Sequence, residues 1–303
     1  MSSTERFAYA VSRVEDLAPP VAAALQTQLL PDEVARQIIF APRQSLLSSR
    51  GGLGAWFAVR WTPSWVLVRT DERLLVVTVP EAPRAPEVAA TPLADLLWLE
   101  LGTILLYSWV AWSCVSGGQL QQQRVYFNSV CENLFWDMVN ATRRTIIAQS
   151  GLPLPTGNRH YAAFEGLPFK FMNLIPFRLL LPGEQAQAVV YQPAIWGRRL
   201  GIFRYQRAPA VVLVLSQEHL LVAQDDLTNL RTAYGIIARY CPRSRLRRAE
   251  LEQTQHDLWL NVTVGLHDTE ETLRVLFEPD AEPALQTLIA QLQASFRDEF
   301  VRT

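Results

Sequence analysis

Lysine is all but missing from this chain of 303 residues: Lys170 stands alone, and arginine supplies the other 27 of the 28 basic residues. An excess of one charge sign is also missing. The 29 acidic residues leave a net charge of −1, so there is no global electrostatic case for nucleic acid or an anionic membrane. Cysteine is scarce. Cys114, Cys131 and Cys241 are too few and too far apart for a disulfide framework or a CxxC metal knuckle, which fits a reducing, cytoplasmic compartment. Histidine is scarce too, and His160, His219, His256 and His267 have no partner at metal-ligand spacing. HExxH, GxSxG and Walker sequences are absent. Gly51-Gly52-Leu53-Gly54 stands outside any phosphate-binding context and reads as a loop. No nucleophile, base and orienting group can be proposed together, so the expectation is no catalytic residue, no metal and no cofactor. An enzyme with an unrecognised site in an interdomain cleft is the residual alternative. Met1 to Pro20 mixes charged and apolar residues and lacks the unbroken apolar stretch of a signal peptide.

What is present is a substantial core. Apolar residues make up 49% and charged residues 19%, and the length is about twice the commonest domain size, so two folded domains are expected. Leu96 to Val115 has a single charge, Glu100, and is long enough to span a bilayer as a helix. Its aromatics, Trp98, Tyr107, Trp109 and Trp112, are spread along the run and not confined to its ends, where a membrane interface would place them.

An internal repeat decides between these readings. Leu29-Leu30-Pro31-Asp32-Glu33 recurs as Leu180-Leu181-Pro182-Gly183-Glu184, and Phe40-Ala41-Pro42 as Tyr191-Gln192-Pro193, both displaced by 151 positions. Pro63 to Val68 matches Pro209 to Val214, Glu72 to Val76 matches Glu218 to Val222, and Arg124 to Phe127 matches Arg274 to Phe277. Order is preserved throughout, and each copy is long enough to be a domain. The counterpart of the apolar run, Arg247 to Val264, contains Arg247, Arg248, Glu250, Glu252, His256 and Asp257. A segment that polar is no bilayer span, so the run is expected to be two buried strands that break near Gly102-Thr103.

Each copy reads as short strands followed by one helix. Thr70-Asp71-Glu72-Arg73 separates two β-runs as a hairpin, and further strands are expected near 35–41, 97–101, 105–113 and 124–127. Ser129 and Glu132 have capping-box spacing ahead of the stripe Cys131, Leu134, Phe135, Met138 and Val139. Leu285, Leu288, Ile289, Leu292 and Phe296 repeat the stripe. The Pro- and Gly-rich stretch between the copies reads as a linker whose Phe164 to Leu174 part packs on a domain. The boundaries are 1–150 with an N-terminal extension, 151–175 for the linker, and 176–303.

The Leu-Leu-Pro-x-Glu entry, the Thr70 to Leu75 hairpin, Pro92 to Leu97 and the strand-helix step at Val125 to Val139 together resemble the pleckstrin-homology-like (PH-like) superfold, particularly its bacterial branch. The resemblance covers most of both copies. It implies a mainly β protein with capping helices: two partly open β-barrels, each closed by a C-terminal α-helix. Ligands, in members that have them, sit at the loops of the opposite end. Such folds serve lipids, peptides, proteins and self-assembly alike.

Two sets of residues are candidates for function. Arg198, Arg199, Arg204 and Arg207 lie where phosphoinositide-binding PH domains carry basic residues, so they are the candidates for an anionic lipid headgroup. The denser run Arg243, Arg245, Arg247 and Arg248 reads as a solvated face paired with Glu250 and Glu252. Copy one is rich in aromatics, among them Trp56, Phe57, Trp61, Trp65 and Trp109. They either fill the core or leave Trp61, Trp65 and Trp109 as a protein-contact patch between copies or between chains. The preferred expectation is a non-catalytic module acting through a protein partner or self-association, with no nucleic acid and no transmembrane segment.

Overall fold

A computed structural model describes residues 7–47, 59–81, 84–104, 107–199, 203–226, 235–255 and 257–300, with the backbone alone at 46–47, 59–60, 199, 203 and 295–300. Gly51 to Gly54, Trp56, Phe57, Leu105 and His256, and the side chains of Arg199 and Phe296, lie outside the described residues. The protein is mainly β. The first half runs β1 (Tyr9–Val11), α1 (Pro19–Gln28), β2 (Gln37–Ala41), the hairpin β3 (Ser45–Leu47) and β4 (Val59–Trp61), then β5 (Ser64–Arg69), β6 (Arg73–Val79) and β7 (Glu87–Pro92). It continues with β8 (Leu96–Thr103), β9 (Ser108–Ser116), β10 (Gln119–Phe127) and α2 (Glu132–Gln149). A short helix, α3 (Phe169–Leu174), and a π-turn at Ile175–Leu179 lead into the second half. There β11 (Ala186–Gln192), the hairpin β12 (Ile195–Arg199) and β13 (Phe203–Ala208), β14 (Val211–Ser216), β15 (His219–Asp225) and β16 (Ile236–Pro242) follow. The chain finishes with β17 (Leu246–Gln253), β18 (Leu258–Leu266), β19 (Thr269–Phe277) and α4 (Glu282–Phe300). From β2 to α2 and from β11 to α4 the order of elements is the same.

Among the described residues no sheet closes into a barrel. The halves meet in one antiparallel sheet of seven strands, ordered β10-β9-β8-β16-β15-β14-β11. Its seam is the pairing of β8 with β16, from Leu99↔Tyr240 to Thr103↔Ile236. The five-stranded sheet β1-β2-β5-β6-β7 and the three-stranded sheet β17-β18-β19 complete the main layers. One face of the central sheet presents Leu99, Leu101, Val110, Trp112, Val212, Val214, Ala238 and Tyr240 to a core shared with the five-stranded sheet and α2. The other presents Leu97, Trp109, Ala111, Leu213, Leu215 and Cys241 to a core shared with the three-stranded sheet and α4. A third core seats α1 on the outer face of the five-stranded sheet.

This double burial explains the apolar run. A strand covered on one face alternates; a strand covered on both has no reason to, and reads as continuous hydrophobic sequence. Leu96 to Leu101 and Ser108 to Val115 are all buried, as is every residue of β14. No helix among the described residues is long and apolar enough to cross a membrane.

Two local expectations are corrected. β8 continues through Gly102 and Thr103, and beyond it the Ile104 N–H donates to the Tyr107 carbonyl at 3.1 Å. Gly102 is a packing residue. It lies opposite Trp109, and a Cβ there would fall 2.2 Å from the indole ring. The capping box at Ser129 does not form either. Asn128 accepts the Val130 N–H at 3.0 Å, Ser129–Cys131 is a 3₁₀ turn, and the Ser129 hydroxyl donates to the Ile104 carbonyl at 2.6 Å. The nearby β8–β9 turn offers Ser129 an acceptor, and Asn128 is left as the cap.

Candidate functional site

The glutamate of the Leu-Leu-Pro-x-Glu motif proves to be an anchor in both halves, half-buried at Glu33 and buried at Glu184. Glu33 accepts the Leu30 N–H at 3.1 Å and the Thr70 hydroxyl at 2.7 Å, while Thr70 Oγ1 itself accepts the N–H groups of Glu72 and Arg73. Glu184 does the same with the Leu181 N–H at 2.8 Å and the Ser216 hydroxyl at 2.7 Å, and Ser216 Oγ accepts from Glu218 and His219. Each glutamate thus ties the entry of its half to the hairpin between its second and third core strands. The cations differ. In the first half Arg73, on that hairpin, pairs with Glu33. In the second half His219 takes the place of Arg73, and the partner of Glu184 is Arg143 from α2 of the first half, at 2.7 Å. Arg143 also donates to the Leu179 carbonyl at 2.9 Å and lies 4.0 Å from the Tyr240 ring centroid.

The electrostatics follow from this burial. Hydrogen bonding to Arg73 holds the Glu33 carboxyl down at about 2. Burial by itself pushes the Glu184 carboxyl up, but Arg143, His219 and the Leu181 N–H outweigh it and hold it well below the usual carboxylate range. Burial, and then the Arg143 charge, push His219 down. Burial and the neighbouring Glu184 push Glu218 up. Ser216, Glu184 and His219 have the composition of a hydrolytic triad without its geometry. The serine donates to the carboxylate and not to the imidazole, and all three are buried away from any substrate. The thiols are buried or half-buried and free; burial pushes Cys241 up to about 12.

A second polar network lies on the other face of the central sheet. Glu100 faces Arg239 directly across the seam at 2.6 Å and accepts from Trp109 Nε1 at 2.8 Å. Arg239 stacks 4.3 Å from the Trp98 ring centroid, and Trp98 Nε1 donates to Glu271 at 2.9 Å. Glu100, the one charge in the apolar run, is therefore a cross-half fastener.

The sequence candidates are placed unequally. Trp65 is buried in the core of the five-stranded sheet and Trp109 in the core on the other side of the central sheet, so the patch Trp61, Trp65 and Trp109 does not exist as a surface. Both rings lie on strands covered by a second layer. Trp61 alone is exposed, at 57%, with the Arg43 guanidinium 5.0 Å above it. Arg198 and Arg204 face each other across the β12–β13 hairpin, both exposed, and Arg204 stacks 4.4 Å from the exposed Trp196 ring. The backbone of Arg199 ends β12. Arg207 is spoken for by Asp257 at 2.5 Å. Of the denser run, Arg243 and Arg245 sit on a 3₁₀ turn and bond to carbonyls, Arg243 to Ser216 and Arg245 to Leu96, while Arg248 pairs with Glu250 at 3.5 Å. Glu252 of β17 pairs with Arg274 of β19, across β18 of the same sheet.

The sequence did not single out the groove where the seam ends. Thr103 and Ile236, the last pair of the seam, lie in it with Trp136 of α2 and with Phe169, Leu174 and Phe177 of the connecting segment; its volume is about 660 Å³. Phe169 is 78% and Phe177 55% exposed, and Phe177 packs against the exposed Tyr161 with centroids 5.0 Å apart. Two ion pairs flank it: Lys170 with Asp225 at 2.5 Å, and Arg178 with Glu132 at 2.5 Å. The sequence signal was there. Phe169-Lys170-Phe171 puts the sole lysine between two phenylalanines, one of which packs inward while the other points out.

Among the described residues no group of three or more histidine, cysteine, aspartate or glutamate side chains is placed to hold a metal ion. A scan against models of known protein families finds no match, and a search of curated proteins finds none.

Proposed function

We propose that this chain is a non-catalytic interaction or assembly module of two PH-like units, 1–150 and 176–303, that arose by duplication, share one sheet, and bind a protein partner or the chain itself in the cytoplasm. The shared order of elements and the twice-used glutamate anchor support the duplication. The observation that carries the function is the groove at the end of the seam. Large aromatic side chains left in solvent around a concave apolar surface, with ion pairs at its margin, have the composition of a protein-contact site. Phe169 and Phe177 are exposed, so truncating both leaves the cores intact. The test is affinity capture from the native host with the full chain and with the F169A/F177A variant. A protein retained by the wild type and reduced at least about tenfold in the variant is expected, since aromatic anchors dominate such contacts. Equal retention by both would remove the groove from the account.

A second reading is favoured by one observation: Arg198, Arg204 and Trp196 are exposed together on the β12–β13 hairpin, a combination that suits an anionic lipid surface. It predicts salt-sensitive retention on anionic liposomes that is lost in R198A/R204A; no retention at low salt contradicts it.

A further inference from the structure

A sheet that does not close leaves edge strands whose outward N–H and C=O groups are free to pair with another chain, and proteins guard such edges. Most edges here are guarded. β1 has three residues, β7 begins at Glu87 and ends at Pro92, and β11 is bulged between Ala186 and Ala188. β17 is bulged and carries Arg247, Arg248, Glu250 and Glu252; β19 carries Glu270, Glu271 and Arg274. β10 has none of these devices before Arg124. Gln119-Leu120-Gln121-Gln122-Gln123 has no charge, no proline and no bulge, and its register on β9 is unbroken. Gln119 to Gln122 are exposed. β19 stands at the same place in the second half, and there Thr269-Glu270-Glu271-Thr272 replaces Gln119-Leu120-Gln121-Gln122.

The turn tells which backbone groups are free. Gly117 and Gly118 have φ of 57° and 75°, the two-residue turn of a tight hairpin, so Ser116 and Gln119 form the hydrogen-bonded pair next to it and the pairs alternate from there. Leu120, Gln122 and Arg124 therefore direct their N–H and C=O groups away from β9. No other strand pairs with that side of β10 among the described residues.

We propose that β10 pairs antiparallel with β10 of a second copy of this chain, about a two-fold axis at Gln122, so that the central sheet continues through a dimer. In that register Gln122 lies opposite itself and Leu120 lies opposite Arg124 of the other copy, and about six backbone hydrogen bonds form. Within its own copy Gln122 Nε2 donates to Glu271 at 3.0 Å and Arg124 lies 3.6 Å from Glu100, so the outward backbone groups carry the contact, and the facing pairs, Gln122 with its image and Leu120 with Arg124, set no like charges directly opposite each other. A second copy fits this edge because the outward backbone groups of Leu120, Gln122 and Arg124 are self-complementary about a two-fold axis and the exposed, uncharged Gln119 to Gln122 put no charge in the way. This deepens the interaction-module reading by naming the partner, and it uses a surface other than the groove.

The test is sedimentation of the full chain between about 1 and about 200 μM, a range suited to a contact of this size. The wild type is expected to rise from 34.3 kDa toward twice that mass. Leu120→Glu places a carboxylate opposite Arg124 and should tighten the dimer about fivefold, whereas Leu120→Lys should weaken it by a similar factor. Gln122→Pro removes an outward N–H while sparing the bonds to β9, and should abolish the dimer. A wild type and a Leu120→Glu variant that both stay at 34.3 kDa would overturn the proposal, as would a dimer indifferent to Leu120→Lys and Gln122→Pro. F169A/F177A should leave the dimer intact. If it alone dissolves the dimer, the β10 assignment falls and the groove stands; if the chain is monomeric yet loses a captured partner in F169A/F177A, again only the β10 assignment falls.

Discussion

Two glutamates show how one side chain joins distant segments, and how its consequences depend on what pairs with it. Glu33 is held by Arg73 of its own half, but Glu184 is held by Arg143 from the other, so the second anchor fastens one half to the other. Removing one member of a buried ion pair leaves the other charged and unpartnered, which costs roughly 3–5 kcal/mol. Glu184→Gln should therefore lower stability at pH 7 by about that amount in urea unfolding, and well beyond the change produced by an exposed charge such as Arg13→Gln. The pH dependence has a defined sign. Carboxyls whose folded values are lowered, Glu33 to about 2 and Glu184 further, bind fewer protons folded than unfolded, so the stability they contribute is present above the unfolded value near 4.5 and is lost as pH falls below it. His219, lowered by burial, adds a loss that begins as pH falls through about 6.5. Glu218, raised by burial and by Glu184, works the other way: it favours the fold below about 4.5, and this is lost as pH rises through its folded value. The net expectation is a urea midpoint that falls from pH 7 to pH 3, with a smaller fall below pH 4.5 in Glu184→Gln.

At the scale of elements, the parts that declare themselves locally were legible. The Thr70 hairpin, the stripe of α4 and the strand at Val211 follow from turn residues and periodicity. The Asp in the first hairpin was the visible clue, but the Thr70 hydroxyl does the organising, while Asp71 faces outward to Arg36 at 2.6 Å. Gly102 was misread for a related reason. A glycine in a strand marks either a bend or a close neighbour, and only the cross-strand partner tells which. The neighbour is Trp109, so Gly102→Ala should cost about 1–3 kcal/mol by overpacking. Thermal unfolding of Gly102→Ala alone and combined with Trp109→Leu checks this. The second substitution should recover part of the loss, whereas an unaltered melting temperature in the single variant would mean the indole has room to move. Phe169 and Phe171 mark the limit of sequence reading in the connecting segment. Both are apolar, two positions apart on a short helix, and only the packed structure tells that Phe171 is core and Phe169 is surface.

At the scale of the whole molecule, the seam was the least legible feature and governs the most. β8 and β16 are far apart in sequence, and no local pattern announces that they pair. Its trace was the unbroken apolar character of β8, β9 and β14, which records burial on both faces but is also what a membrane span would show. Because the groove contains the last seam pair, Thr103 and Ile236, the proposed contact site exists only if the halves are joined as one sheet. Glu100 and Arg239 across the seam, and Arg143 and Glu184 beneath it, add fasteners on both faces. Two independent barrels on a linker would unfold separately, whereas a shared sheet couples them. Native-state hydrogen exchange tests this most directly. The amides of Leu99 to Thr103 and of Ile236 to Tyr240 should exchange only through unfolding of the entire chain, with the same free energy on both strands. Exchange of these amides through a lower-energy opening that leaves the β5–β6 and β18–β19 hairpins protected would contradict the shared sheet.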